Sequence, residues 1–232
     1  MYICAMQISP IAIFHSPFPT KFGIPRQSGV VPHLKGMIVF EQEYQNSDYI
    51  RGIEDFDFLW LIWGFSANDH QSVVPTVRPP LLGGNKALGV FATRSPYRPN
   101  PIGLSAVRLV GVEETNDKGT VLMVEGADLM DGTPIYDIKP YLPYADSHEN
   151  ARGGFTDTHR WQCLDVVIPD ELRKSFSDEE IAVLTQILSQ DPRPHYHHDA
   201  ERVYGMPYAG HDVKFKVYDG KLWVVGIEKE RI

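Results

Sequence analysis

Short apolar runs, cut repeatedly by Gly and Pro, dominate the first 140 residues. Residues 8–14, 36–40, 58–65, 87–92, 105–112 and 120–126 each read as a strand. Asn116-Asp-Lys-Gly119 is a turn that makes the last two an antiparallel hairpin. The other local signal is a weak helical stretch over 45–52. Many short strands with few helical patterns between them predict an antiparallel β-barrel or a sandwich. Phe56, Phe58, Trp60, Trp63 and Phe65 are read as core of that structure.

The pattern changes after residue 140. Pro143, Ser147, Glu149, Asn150, Gly153 and Gly154 mark a linker. Residues 161–168 read as a strand. Ser177-Asp-Glu-Glu180 is a capping box, and Ile181, Leu184, Ile187 and Leu188 follow on one helical face. Residues 213–218 and 222–227 flank Asp219-Gly220, a two-residue hairpin signal. The expected division is a β-barrel domain over 1–145, a linker over 146–159 and a small α+β domain over 160–232.

Composition narrows the class. With 43% hydrophobic and 22% charged residues, the 232-residue chain fits a globular protein with a real core. Cys4 and Cys163 form no metal or redox spacing, so a reducing compartment is expected. The apolar N-terminus lacks a basic n-region, and residues 56–65 are too short to span a bilayer. A cytoplasmic protein without a membrane partner is expected. The net charge is -8, yet residues 71–110 hold Arg78, Lys86, Arg94, Arg98 and Arg108 and no Asp or Glu. A local positive field on an acidic chain points to a specific anionic ligand.

Three loops carry candidate chemistry. In residues 94–101, Pro96, Pro99 and Pro101 forbid helix and stiffen the backbone beside Arg94 and Arg98. Guanidinium forks held ready suit carboxylate or phosphate. In Lys21-Phe-Gly-Ile-Pro-Arg-Gln27, Pro25 stiffens Arg26, and the Gln27 amide both donates and accepts, as an adenine edge requires. In residues 126–135, Asp131-Gly132 before Pro134 is a tight turn, either structural or the rim of a pocket. Gly83–Gly89 lacks the ending of a phosphate loop, and no Rossmann fingerprint is present. His195, His197 and His198 lack partners at ligand spacing, so no metal is expected.

Several separated motifs resemble the TrmO/TsaA-like (YaeB family) tRNA methyltransferases. They are Pro25-Arg26-Gln27, residues 52–56, Arg78-Pro79-Pro80, Leu82-Gly83-Gly84-Asn85, the proline-braced loop and residues 137–141. Asp191-Pro-Arg-Pro194 and Val203-Tyr-Gly-Met206 extend the likeness into the second unit. The resemblance implies an S-adenosylmethionine-binding antiparallel β-barrel and a homodimer with the cofactor near the subunit contact. It implies methylation of N6 of threonylcarbamoyl-adenosine at position 37, in the anticodon loop of threonine tRNA, forming m6t6A. Carried over by motif, the cofactor residues are Pro25, Arg26, Gln27, Arg94, Leu104, Asp131, Gly132, Thr133 and Pro134, with Ser66 and Ala67 added after the aromatic strand.

The chemistry adds further expectations. Arg94 or Arg26 would pair with the cofactor carboxylate. The acceptor nitrogen has a delocalised lone pair and must lose a proton, and Asp131, Tyr136 and Asp137 are the candidates to assist. Tyr97, Arg98, Arg152, His159, Tyr196 and Tyr208 are candidate RNA contacts. The second unit is expected either to help place the tRNA or to pack on the barrel and buttress the dimer. Competing readings are a non-catalytic module binding an adenine nucleotide or RNA, and a methyltransferase with another acceptor.

Overall fold

Alternation in residues 58–64 shows how the first core is built. Leu59, Leu61 and Trp63 are buried, while Phe58, Trp60 and Ile62 face outward. The period of two puts alternate side chains on opposite faces of a strand. The computed structural model describes residues 7–67, 73–194 and 199–229. In the first part the strands are β1 (Ala12–His15), β2 (Lys35–Phe40), β3 (Phe58–Gly64), β4 (Thr76–Val77), β5 (Leu88–Gly89), β6 (Ile102–Thr115), β7 (Gly119–Glu125) and β8 (Thr133–Pro140).

Six of these pair antiparallel in the order β1-β2-β7-β6-β3-β8. The last strand returns to the first, with Ala12 opposite Ile135 and Phe14 opposite Thr133. Every strand of this circuit therefore has two neighbours and no free edge. Phe14, Ile38, Leu59, Leu61, Leu122 and Ile135 fill its interior. Each such side chain contributes about 1.5–3 kcal/mol by leaving water.

Several expectations need correction here. Residues 87–92 are not a strand of this sheet: β5 pairs only with the short β4, and Val90–Ala92 form a 3-10 turn. The helix expected at 45–52 is a 3-10 turn over Ser47–Ile50, with Arg51 already outside helical backbone. Phe58 and Trp60 lie on the outer face rather than in the core. A single helical turn, α1 (Pro143–Asp146), closes the first part, and another, α2 (Phe155–Thr158), lies within the linker.

The second part contains β9 (Asp165–Val167), α3 (Asp170–Arg173), α4 (Asp178–Ser189), β10 (Tyr204–Tyr208), β11 (His211–Tyr218) and β12 (Lys221–Lys229). Its sheet order is β10-β11-β12-β9, with β9 parallel to β12. The strand expected over 161–168 is shortened to three residues. Ser177 and Glu180 cap α4 reciprocally, and its buried face is Ile181, Val183, Leu184, Ile187 and Leu188.

The core under α4 recruits residues from the far end of the chain. Phe18, Val31 and Leu34 belong to the same cluster as Leu184, Met206 and Phe215. Gly23, at φ +91°, lies so close to Met206 that a Cβ would meet the sulfur at 2.3 Å. The Ala209 amide donates to the Pro17 carbonyl at 2.9 Å. Residues 17–34 are thus held between the two sheets.

Candidate active site

Two loops run side by side at one end of the six-stranded sheet. The first is the stretch after β1, and the second joins β7 to β8. The Gly29 amide donates to Gly126 carbonyl, the Gly126 amide to Leu34, the Asp131 amide to Phe18 and the Gly132 amide to Phe14. The Asp131 carboxylate accepts from the Ser16 amide at 3.1 Å and meets His15 Nδ1 at 3.0 Å. Thr133 Oγ1 donates to Met130 carbonyl at 2.7 Å. Gly132 has φ +75°, and a Cβ there would meet nothing within 4 Å. Its backbone therefore faces open space, where a ligand has room to approach.

Behind these loops lies a buried polar chain. Trp63 Nε1 donates to Ser105 Oγ at 3.0 Å, and Ser105 Oγ donates to Asp128 Oδ1 at 2.5 Å. Ser105 is only 1% exposed. Burial pushes the Asp128 carboxyl above its ordinary range, opposed by hydrogen bonds from Ser105 and the Ser28 backbone and by the charge of Arg94. Arg94 in turn donates through Nη1 to Gln27 Oε1. Gly103 lies flat against Trp63, leaving no room for a Cβ. The result is a guanidinium and an amide presented at the surface with a fixed carboxylate near them.

The structure brings some of the sequence candidates together and separates others. Gln27 and Arg94 meet directly. Pro25 precedes Gln27 in its loop, and Lys21 Nζ of that loop donates to Ala67 carbonyl at 2.9 Å, drawing the Ser66–Ala67 turn toward it. Asp131, Gly132, Thr133 and Pro134 form the adjoining turn into β8. Leu104 is 55% exposed on the outer face of β6, beside the inward Ser105.

Arg26 departs from expectation. Its Nη1 and Nη2 donate to the carbonyls of Gln190 and Asp191 at 2.5 and 2.8 Å, and its guanidinium lies 3.8 Å over the Trp161 ring. Burial lowers its pKa, partly countered by Asp191. A guanidinium engaged in this way joins the two parts of the chain and does not offer itself to a cofactor carboxylate. Next to it, Arg193 holds Asp191 through Nε and Nη2 at 2.8 and 2.9 Å.

Of the candidates for proton removal, Asp137 is ion-paired with Lys139 at 2.7 Å. Tyr136 places its ring against Gly64, whose Cβ would come within 2.7 Å of the hydroxyl. Among the RNA candidates, Tyr97, Arg152 and His159 are exposed. Arg98 donates to the carbonyls of Thr93 and Ser95 and so braces its own loop. Tyr208 is corrected: it is 4% exposed, packed on Phe18 and Phe176, and burial pushes its hydroxyl up to about 12. A side chain so enclosed offers RNA no surface. Tyr196, like the three neighbouring histidines, lies outside the described residues.

Asp128 and Ser105 were not foreseen as site residues. The available signal was an acid between Ala127 and Leu129, both buried and both apolar. An acid in such a setting needs a partner.

The family model of the tRNA-methyltransferase O N-terminal domain matches residues 13–147, and that of the TrmO C-terminal domain matches residues 162–230. The chain is 36% identical to tRNA (adenine(37)-N6)-methyltransferase of Escherichia coli (strain K12), covering 97% of this chain and 98% of that protein. It is 41% identical to the protein of the same name from Eikenella corrodens, over 71% of this chain and 93% of that one. A crystal structure of TrmO from Pseudomonas aeruginosa superposes with a TM-score of 0.78 at 31% identity, covering 98% of this chain and 99% of that one. The chain belongs to the TrmO family.

Proposed function

We propose that this protein methylates N6 of adenine 37 in tRNA with S-adenosylmethionine as donor. Relatives named for that activity, one matched over 97% of the chain and another over 71%, support the reaction. The single structural observation that carries it is the Gln27–Arg94 pair, set beside the half-buried Asp128 and the open Gly132 turn. These residues fit the donor. Arg94 suits its carboxylate, Gln27 suits an adenine edge, and the unobstructed Gly132 backbone suits close approach. We assign Pro25, Gln27, Ser66, Ala67, Arg94, Leu104, Asp131, Gly132, Thr133 and Pro134 to this site.

The cofactor supplies an electrophilic methyl group on sulfonium sulfur. In the reaction the N6–C bond would form as the S–C bond breaks, leaving a thioether, and the N6 proton would pass by way of a hydrogen-bonded partner to solvent. The protein's part is alignment of nucleophile and methyl, together with a hydrogen-bonding partner for N6–H. Asp131 is engaged by His15 and Ser16, and Asp137 by Lys139. We therefore favour Tyr136 as that partner. Tyr136→Phe should lower kcat by about 100-fold while cofactor affinity stays unchanged. An unaltered kcat removes Tyr136 from this role.

The finer reading is that the adenosine carries a threonylcarbamoyl group on threonine tRNA, giving m6t6A, in the cytoplasm. The six-stranded sheet serves as the barrel domain of residues 1–145, followed by the linker over 146–159 and the α+β domain over 160–232. Exposed apolar residues on the outer faces of β3 and β6, among them Phe58, Ile102, Leu104 and Val110, support a homodimer contact there. Mass spectrometry of threonine tRNA, with and without the threonylcarbamoyl group, tests the acceptor. A single added methyl only on the modified tRNA is expected. No added methyl on either defeats the proposal.

A further inference from the structure

We propose that the cleft between residues 82–92 and 153–159 receives a nucleotide of the RNA strand flanking the target adenine. This rests on the reading that the substrate is tRNA. The cleft has a volume of about 610 Å³, inside the range of sites that hold small organic groups. Its floor is Leu82, Leu88 and Phe155, each half-buried, and its rim carries Lys86 and His159, both exposed. None of the lining residues is an acid, although the chain carries a net charge of -8. The Asp157 carboxylate, which does not line the cleft, is engaged by the Gly153 amide at 2.8 Å.

An aromatic floor beside a lysine is what an unstacked base and its phosphate require. An acidic peptide would share the lysine but has no need of the flat ring. Position supports the same occupant. Ala92 lines the cleft, and Arg94 stands two residues on, so their Cα atoms are at most about 7 Å apart. The stretch between them is rigid: Thr93 Oγ1 donates to Val90 carbonyl at 2.9 Å and accepts from the Ser95 amide at 3.3 Å. A strand passing the cofactor cradle would meet this cleft next.

The test is steady-state methylation of tRNA by the full-length protein, with S-adenosylmethionine affinity measured separately by calorimetry. Phe155→Ala and Lys86→Glu should each raise KM for tRNA by about tenfold, and leave cofactor affinity unchanged. Phe155→Tyr should restore KM, because a ring remains to stack on. Unchanged KM in both variants, with active wild type, overturns the cleft and leaves the methyltransferase reading intact. Weakened cofactor affinity also overturns it, because the cleft would then belong to the cofactor site. If wild type transfers no methyl to any tRNA, the underlying reading fails first.

Discussion

Arg26 and Gln27 are adjacent in the chain, yet their side chains hold opposite parts of the molecule. Arg26 donates to the carbonyls of Gln190 and Asp191 in the second part, and Gln27 accepts from Arg94 in the first. One peptide bond thus links the second part of the chain to the Gln27–Arg94 pair. In the proposed site Arg26 would therefore be a positioning residue, acting through Gln27.

Arg26→Ala should destabilise the protein by about 1–3 kcal/mol, because it strips two carbonyls of their donor. It should also weaken S-adenosylmethionine binding by misplacing Gln27. Lysine is a poor replacement, since one ammonium does not reproduce the planar fork or its stacking on Trp161. Thermal unfolding combined with calorimetry checks both effects. A drop in stability with unchanged cofactor affinity would make the contact structural only.

Arg94→Ala separates binding from folding. The side chain is exposed, so unfolding should be nearly unaffected. Loss of one charge-assisted contact should weaken cofactor binding by about 1.5–3 kcal/mol. Calorimetry on the folded variant decides it, and full affinity would take Arg94 out of the site.

Ser105→Ala should destabilise by about 1–3 kcal/mol, leaving both Trp63 Nε1 and the Asp128 carboxylate short of a partner. Asp128 also makes stability depend on pH. Its folded pKa lies above the ordinary value of 3.8. In that window the folded state keeps a proton that the unfolded state has released, so its contribution falls as pH rises through the folded pKa. Urea unfolding of Asp128→Asn should lack this component of the fall. Parallel pH profiles for variant and wild type would remove Asp128 as its source.

Two glycine substitutions should fail for different reasons. Gly103→Ala drives a methyl group into Trp63, which burial and the Ser105 hydrogen bond hold in place. Overpacking of this kind should cost about 1–3 kcal/mol and leave the backbone of the Gly132 turn alone. Gly132→Ala meets no neighbour but must adopt φ +75°, a strain of about 1–2 kcal/mol. Here cofactor affinity should fall together with stability. Equal affinity in the two variants would exclude the Gly132 turn from the site.

Sequence patterning reveals most where local chemistry acts alone. Ser177 and Glu180 form the reciprocal cap that their spacing announces, and Asp219-Gly220 turns between β11 and β12 as expected. β8 and β10 escape notice because Pro134, Pro140 and Pro207 argue against strands. Pro134 sits at the start of β8, opposite Ile13 and before pairing with β3 begins, and Pro207 lies on an edge strand. Both places tolerate a missing amide donor. In the site, the Gln27 and Arg94 loops are legible from their prolines. The destination of Arg26, the enclosure of Tyr208 and the Trp63–Ser105–Asp128 chain depend on contacts distant in sequence, which no local pattern records.

Phe18, Val31 and Leu34 take their cover from α4 and the second sheet. Cutting the chain after the linker would uncover these three side chains and release Arg26 at the same moment. A shortened protein would present a greasy, untethered segment just where Gln27 must be fixed, so its inactivity would say nothing about tRNA docking. Single-residue changes in the intact chain are the informative route to what the second half does.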